Sequence, residues 1–354
     1  ELVTAAVRTW HYGRLRATRS NRSREILTQL MPVLLTSLSR TADPEAAFIN
    51  FNEFLTNLPA GIQLFSLFQA HPQLLDVVAE IMGTAPRLAG YLSRQAHLLD
   101  SVLTPDFFNA PLGRQALNQS LDYELGFAKD FQDVLDITRS WSGDVNFKVS
   151  VQHLRGMINA QQASEVLSGV ADILIEEVLK SVEIDFRQQY GKVAGAEFAI
   201  VAFGKLGSRM MTRGSDLDLV FIFHAPPNSE SDGARSLNVN SYYSRLCQRL
   251  ITALSVQTGQ GQLYDVDVQL RPMGVSGSLV CDFSRLENYY QNEAWTWELM
   301  ALNRARVIVA PNKLRVEIEQ LIENTLCASR DAGKLASNVY GMRRKVEAEH
   351  GTED

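Results

Sequence analysis

The apolar run Phe198-Ala199-Ile200-Val201-Ala202-Phe203 is followed at once by Gly204-Lys205-Leu206-Gly207-Ser208, and then by Ser215-Asp216-Leu217-Asp218-Leu219-Val220-Phe221. A buried strand, a small-residue turn and a second strand is the arrangement this order predicts. Alternate side chains on a strand share a face, so Asp216 and Asp218 point one way while Leu217, Leu219 and Phe221 point into a core. Two acids held side by side repel each other, and a divalent cation between them removes the penalty. Gly207 and Ser208 offer backbone N–H groups and a hydroxyl to phosphate oxygens. Together these residues read as a site for a metal-bound nucleoside triphosphate.

A third acid belongs to the same picture. From Leu263 to Pro272 the sequence alternates, with Tyr264, Val266, Val268 and Leu270 on one face and Asp265, Asp267, Gln269 and Arg271 on the other. A strand here, beside the first, would complete a three-carboxylate cluster, the ligand set that two Mg²⁺ ions need for in-line displacement at phosphorus. Spacing alone leaves both Asp265 and Asp267 open as the third ligand. Lys205 and Arg271 either neutralise phosphate charge or form surface salt bridges. Ser215 either joins the phosphate site or caps the start of its strand. Arg304 and Arg306 are placed beside the cleft, and the helical spacing of Trp297, Met300, Ala301 and Arg304 predicts core packing for the tryptophan.

The rest of the chain organises around this segment. Residues 1 to about 190 carry helical periodicity, with Pro72 and Pro86 at the first positions of helices, where a missing N–H costs nothing. Leu167, Val170, Leu174, Val178 and Val182 form one stripe, and Gly191 and Gly195 end that helix. Tyr243, Leu246, Cys247, Leu250, Ile251 and Leu254 mark a further amphipathic helix. The expected organisation is α+β and mostly α. A helical bundle covers residues 1–194, an α/β domain covers 195–312, and a further helical region begins at 313. In that last region Leu335, Val339, Met342 and Val346 form a stripe that needs a partner.

Composition narrows the function classes. The chain has 354 residues, 45% hydrophobic and 21% charged, which places it among globular proteins. Its 34 basic and 40 acidic residues give a net charge of −6, which argues against a large nucleic-acid interface. The basic cluster Arg14, Arg16, Arg19, Arg22 and Arg24 is expected to be a solvated helix face. Three scattered cysteines form no CxxC pair, so neither a zinc site nor a disulfide framework is expected, and a reducing cytoplasm is inferred. No apolar run is long enough to span a membrane. The chain starts at Glu1 without Met and is read as a fragment of a longer protein.

The order Gly-Ser, Asp-x-Asp, then a distant Asp between apolar residues resembles the DNA polymerase β-type nucleotidyltransferases. Three longer runs, "FAIVAFGKLGS…GSDLDLVFIF", "LYDVDVQLRPMG" and "YYQNEAWTWELMALNRARVIVAP", are similar to the glutamine synthetase adenylyltransferase family, as is the upstream stretch from Leu58 to Leu103. The resemblance thus covers nearly the whole chain. It implies a polymerase β-type nucleotidyltransferase domain joined to the helical bundle, with ATP as substrate and Mg²⁺ as cofactor. The implied partners are glutamine synthetase and the PII signal protein. It favours Asp267 over Asp265 as the third ligand. The run from Asn292 to Glu298 resembles the half of these bifunctional enzymes that attaches AMP to a tyrosine of glutamine synthetase. The half that removes AMP, and a non-catalytic module that docks glutamine synthetase or PII, are the alternatives. The chain departs from the family pattern at Met210, where relatives usually carry Glu.

Overall fold

A computed structural model describes residues 2–12, 15–94, 98, 107, 113–272, 274 and 277–350. The fold is α+β and mostly helical. The chain divides into two compact units, Glu1–Pro111 with Gly143–Ala160, and Leu112–Ser142 with Gln161–Asp354. The change of hydrophobic period near residue 195 marks where the sheet begins, and the units divide elsewhere.

The first unit is built from helices α1 (Leu2–His11), α2 (Asn21–Ser39), α3 (Pro44–Asn57), α4 (Ile62–Ala70), α5 (Pro72–Thr84) and α6 (Pro86–Arg94). Local chemistry sets several starts. Ser20 accepts the Ser23 N–H ahead of α2, Asp43 accepts the Ala46 N–H ahead of α3, and Pro72 and Pro86 stand first in α5 and α6, as expected. Trp10, Phe51, Phe54, Phe65 and Phe68 are fully buried in the core. The Trp10 indole still has a polar partner, donating to Asn52 Oδ1 at 2.8 Å. Arg16, Arg19 and Arg22 lie exposed, Arg24 is half-buried and donates to the Thr18 and Arg19 carbonyls, and Arg14 lies outside the described residues.

The second unit contains α7 (Arg114–Leu125), part of α8 (Phe131–Leu154), nearly all of α9 (Ala160–Tyr190) and a mixed sheet. Strand β2 (Leu217–His224) is central. From Leu219 to His224 it pairs antiparallel with β1 (Glu197–Ala202), which pairs antiparallel with β5 (Arg306–Val309). Two short strands share the other edge of β2. β3 (Val266–Asp267) pairs parallel with its start and β4 (Val280–Asp282) parallel with its end. Both faces of the sheet are covered. Ala199, Val201, Val220 and Ile222 pack with Leu286, Leu314 and Ile318 from α12 (Phe283–Asn292) and α14 (Asn312–Cys327). On the other side Phe198 and Phe223 stack on Tyr243 of α11 (Val239–Ser255). Coverage on two sides is why β1 and β2 read as apolar runs.

The third-carboxylate strand is shorter than its alternation predicts, since only Val266 and Asp267 pair. The Asp267 side chain accepts the Gln269 N–H at 2.7 Å, an Asx turn that diverts the backbone out of the ladder. The Arg271 guanidinium then holds the Val268 carbonyl at 2.6 Å. Among the described residues no helix is long and apolar enough to cross a membrane. Cys247 and Cys281 are buried, Cys327 is exposed, and all three are free thiols.

The connection into β3 depends on a buried cation. Arg139 of α8 is 3% exposed and donates to the carbonyls of Leu135, Ala253, Val256 and Gly261 at 2.8–2.9 Å. It thereby closes the C-terminus of α11 and the loop that leads to β3. Burial lowers its pKa from the usual guanidinium value, and nearby Asp136 partly offsets that. Arg139→Met would leave buried carbonyls unpaired, and is expected to reduce unfolding free energy by about 3 kcal/mol in urea titration. A loss below about 1 kcal/mol would show that water replaces the guanidinium freely.

Candidate functional site

Three acids meet where β2 begins. Asp218 and Asp267 are register partners across the parallel β2–β3 pair, so their side chains share a face of the sheet. Asp216 lies two residues before Asp218, exposed at the strand's mouth. Leu217, Leu219 and Phe221 are fully buried on the opposite face, as the alternation predicts. The Asp218 carboxyl titrates above the ordinary carboxylate range, because burial disfavours its charge and Asp216 and Asp267 add repulsion that Lys205 partly relieves. Asp265 takes no part in this cluster. Its carboxylate is exposed and accepts from the Gln262 side chain at 2.7 Å, while its backbone carbonyl accepts the Leu217 N–H at 2.9 Å.

The segment between β1 and β2 forms a single helical turn, α10 (Gly204–Gly207). Gly204 has φ +53°, and a Cβ there would lie 1.9 Å from Asp218 Oδ2, so only glycine lets the carboxylate rest against the turn. Gly207 is needed for close approach: a Cβ would lie 1.7 Å from the Arg304 carbonyl oxygen. The Gly207 and Ser208 N–H groups close the turn on Phe203 and Gly204, and the Ser208 hydroxyl donates to the Gly204 carbonyl at 2.9 Å. The N–H groups without an intrahelical acceptor are therefore those of Gly204, Lys205 and Leu206, at the turn's first positions. Lys205 is exposed, and its charge acts on Asp218.

Ser215 and Arg271 serve loops. The buried Ser215 hydroxyl accepts the Thr212 N–H at 3.0 Å and pairs with the Thr212 hydroxyl at 2.9 Å, pinning the loop that returns to β2. Arg271 donates to the Val268 and Gly277 carbonyls. Met210 is 62% exposed. The placement of Trp297 corrects the sequence expectation: Trp297 is 38% exposed and neighbouring Trp295 is 68% exposed. The inward position of α13 (Thr296–Ala301) belongs to Glu298, whose carboxylate takes the Tyr289 hydroxyl on both oxygens at 2.8 Å and the Trp295 N–H at 2.8 Å. α15 (Ala332–His350) carries the last stripe. Leu335 and Val339 are half-covered, Met342 is exposed, and the Val346 side chain lies outside the described residues.

The support beneath the turn was not apparent from motif spacing. Asp172, on α9, is completely buried. Its two oxygens take the Arg306 guanidinium at 2.8 and 2.9 Å, with Arg114 at 3.4 Å and Arg209 at 3.7 Å. Arg306 also donates to the Leu206 and Gly207 carbonyls at 2.9 and 3.2 Å. Four residues before Asp172, the Ser168 hydroxyl accepts the Met211 N–H at 3.3 Å. One signal was available: Asp172 is the lone acid in the otherwise uncharged run Gly169–Ile175, and a buried acid demands a cation.

The donor set suits a hard divalent cation, since Mg²⁺ is bound through carboxylate oxygens and phosphates. Burial of the Asp218 charge, with the added repulsion from Asp216 and Asp267, is the cost such a cation would relieve. As the side chains stand, no three His, Cys, Asp or Glu residues among the described residues are arranged as a metal-ligand group. The three aspartates supply suitable donors on neighbouring backbone positions, not a finished cage.

Comparison with known proteins gives a consistent result. The family model for glutamate-ammonia ligase adenylyltransferase matches residues 75–321. The chain is 42% identical over 353 residues to the bifunctional glutamine synthetase adenylyltransferase/adenylyl-removing enzyme of Brucella melitensis, covering 99% of this chain and 36% of that protein. It is 39% identical to the protein of the same description from Mesorhizobium japonicum, with the same coverage. To that of Agrobacterium fabrum it is 38% identical over 355 residues, covering 100% of this chain and 36% of the relative. The chain thus spans about a third of the length of the curated relatives it matches.

Two outcomes follow from the site's electrostatics. A carboxyl whose folded-state pKa is raised binds protons more readily folded than unfolded, so stability falls as pH rises through the window above the ordinary carboxylate value. Without divalent cations, Asp218→Asn should therefore melt above wild type at pH 7, and the gap should narrow as the pH falls toward that value. A lower melting temperature for the variant at pH 7 would contradict the repulsion. Met210→Glu, at an exposed position, should leave the melting temperature unchanged. A drop of several degrees would show that the methionine packs.

Proposed function

Since the chain belongs to the glutamate-ammonia ligase adenylyltransferase family, we propose that its second unit transfers AMP from ATP to a tyrosine hydroxyl of glutamine synthetase, releasing pyrophosphate and regulating nitrogen assimilation. The observation that carries this reading is the register pairing of Asp218 with Asp267 beside Asp216, with Asp218 lying against the glycine turn. Asp216, Asp218 and Asp267 would hold Mg²⁺, which when bound supplies charge to polarise the phosphoryl oxygens and neutralise the leaving pyrophosphate. The backbone N–H groups of Gly204 and Lys205 at the start of α10, and the Lys205 ammonium, bind triphosphate oxygens, while the Leu206 N–H is buried. Ser208 lines the turn through its hydroxyl oxygen. Asp267 orients the acceptor. Its Oδ1 is fixed by the Gln269 N–H, which leaves Oδ2 to take the phenol proton as the tyrosine oxygen attacks the α-phosphorus. An unperturbed phenol has a pKa of about 10, so removal of that proton is a substantial part of the barrier.

The adenylylating direction rests on the resemblance of the Asn292–Glu298 run, and PII as a regulatory partner rests on the family resemblance as a whole. A cytoplasmic location rests on the three unpaired cysteines. The reading is tested by incubating the full-length protein with ATP, Mg²⁺ and glutamine synthetase and mapping the acceptor by mass spectrometry. AMP on a tyrosine supports transfer. Loss of AMP from a previously modified tyrosine, without transfer, would assign the removing half. Neither activity, with glutamine synthetase still bound, would assign a docking module.

The carboxylates are expected to separate by role. Asp216→Asn should lower transfer by about 10³-fold. Asp267→Asn should lower kcat strongly while leaving ATP affinity within about twofold, because its main partner is the attacking hydroxyl. Near-normal transfer by Asp216→Asn, or an Asp267 variant that loses ATP binding but keeps its turnover at saturation, would overturn the assignment.

A further inference from the structure

We propose that Arg306 is a positioning residue for the phosphate turn, held in place by the buried Asp172, and that it sets nucleotide affinity through the turn without touching nucleotide. The inference rests on the nucleotidyl-transfer reading above. Arg306 opens β5, paired with Ala202 at the end of β1, so its backbone sits beside the start of the turn. Its guanidinium is shared. Two nitrogens face the Asp172 carboxylate in a fork at 2.8 and 2.9 Å, and Nε and Nη2 hold the carbonyls of Gly207 and Leu206. Planar bidentate geometry fixes the plane of the guanidinium, and therefore the direction in which it holds those carbonyls.

The turn is stiff, and what fixes one end fixes the other. Gly207 N–H bonds Phe203 and Ser208 N–H bonds Gly204, so Gly204 to Ser208 move together. At the Gly207 end the turn is pressed on the Arg304 carbonyl and gripped by Arg306. At the Gly204 end it lies against Asp218 Oδ2. Arg209, which leaves the turn with φ +57°, also points its charge at Asp172. One buried carboxylate thus anchors the turn both through Arg306 and through the residue that follows Ser208. A rotation about this anchor would shift the free N–H groups and Lys205 away from the carboxylates, and misplacement on the order of 1 Å is enough to cost about 10²-fold in turnover.

A purely structural staple would lower the melting temperature and leave the folded fraction binding normally, so the readout is affinity measured on folded protein. In the full-length protein, Mg-ATP binding is followed by isothermal titration calorimetry for wild type, Arg306→Lys, Arg306→Gln, Asp172→Asn and Arg114→Gln, with kcat and KM for ATP measured in parallel. Arg306→Lys keeps a charge for Asp172 but cannot make the fork and hold both carbonyls. It is expected to weaken Mg-ATP binding about tenfold and to raise KM for ATP while KM for the acceptor protein is unchanged. Asp172→Asn should behave alike. Arg114→Gln touches Asp172 but not the turn, and should stay within about twofold of wild type. If Arg306→Gln does not fold, the lysine variant decides the matter. Wild-type affinity in folded Arg306→Lys and Asp172→Asn, with only a lowered melting temperature, would overturn the inference and leave the transfer reading standing. Absence of Mg-ATP binding by the wild type would overturn both.

Discussion

The second unit is organised by one buried charge. Taking an isolated carboxylate out of water costs several kcal/mol even after relaxation, so Asp172 is compatible with folding only if cations come to it. Arg306 from β5 comes in bidentate geometry, with Arg114 and Arg209 further out. Because Arg306 spends its remaining donors on the carbonyls of Leu206 and Gly207, neutralising Asp172 and placing the turn are one event. Removing one partner of such a pair typically costs about 3–5 kcal/mol, far more than any exposed ion pair on this surface. Helix α9, the sheet and the turn are thereby tied at one point, next to the three aspartates.

The sheet topology explains why the acids meet where they do. β2 has one edge taken by β1 from Leu219 onward, while its other edge is divided between β3 and β4. β3 covers only Leu217 and Asp218, the two residues at the mouth of β2. A parallel pairing of that length places one acid of β3 opposite one acid of β2, and the Asx turn at Asp267 ensures that nothing further along the strand competes. The same hydrogen bond that shortens the strand orients the Asp267 carboxylate. The proposed transfer draws on this arrangement together with membership of the adenylyltransferase family.

Much of this was legible in the sequence, for identifiable reasons. The buried runs of β1 and β2, the stripe on α9 from Leu167 to Val182 and the helix around Cys247 follow from periodicity, which burial enforces directly. The Asp216–Asp218 spacing and its turn were visible as a motif, although β2 begins only at Leu217 and Asp216 stands just before it. The extent of β3 was not, since a side chain-to-backbone hydrogen bond overrode the alternation after Asp267. Trp297 escaped the core because Glu298, which would be expected outside, is buried with the Tyr289 hydroxyl as partner. Ser215 and Arg271, for each of which a phosphate role and a structural role were open, have polar atoms engaged in loop hydrogen bonds. Arg306 was placed near the cleft, but its contact with Asp172 spans 134 positions of sequence, a separation no local pattern reports.

In the proposed function, Asp216, Asp218 and Asp267 converge on a metal-bound triphosphate at the α10 turn. The most direct measurement is anomalous diffraction from crystals grown with Mn²⁺ and an ATP analogue that cannot be cleaved at the α-phosphorus. An anomalous peak is expected among the three carboxylates, with the triphosphate at the Gly204 and Lys205 N–H groups. A peak elsewhere, or nucleotide bound away from this turn, would contradict it.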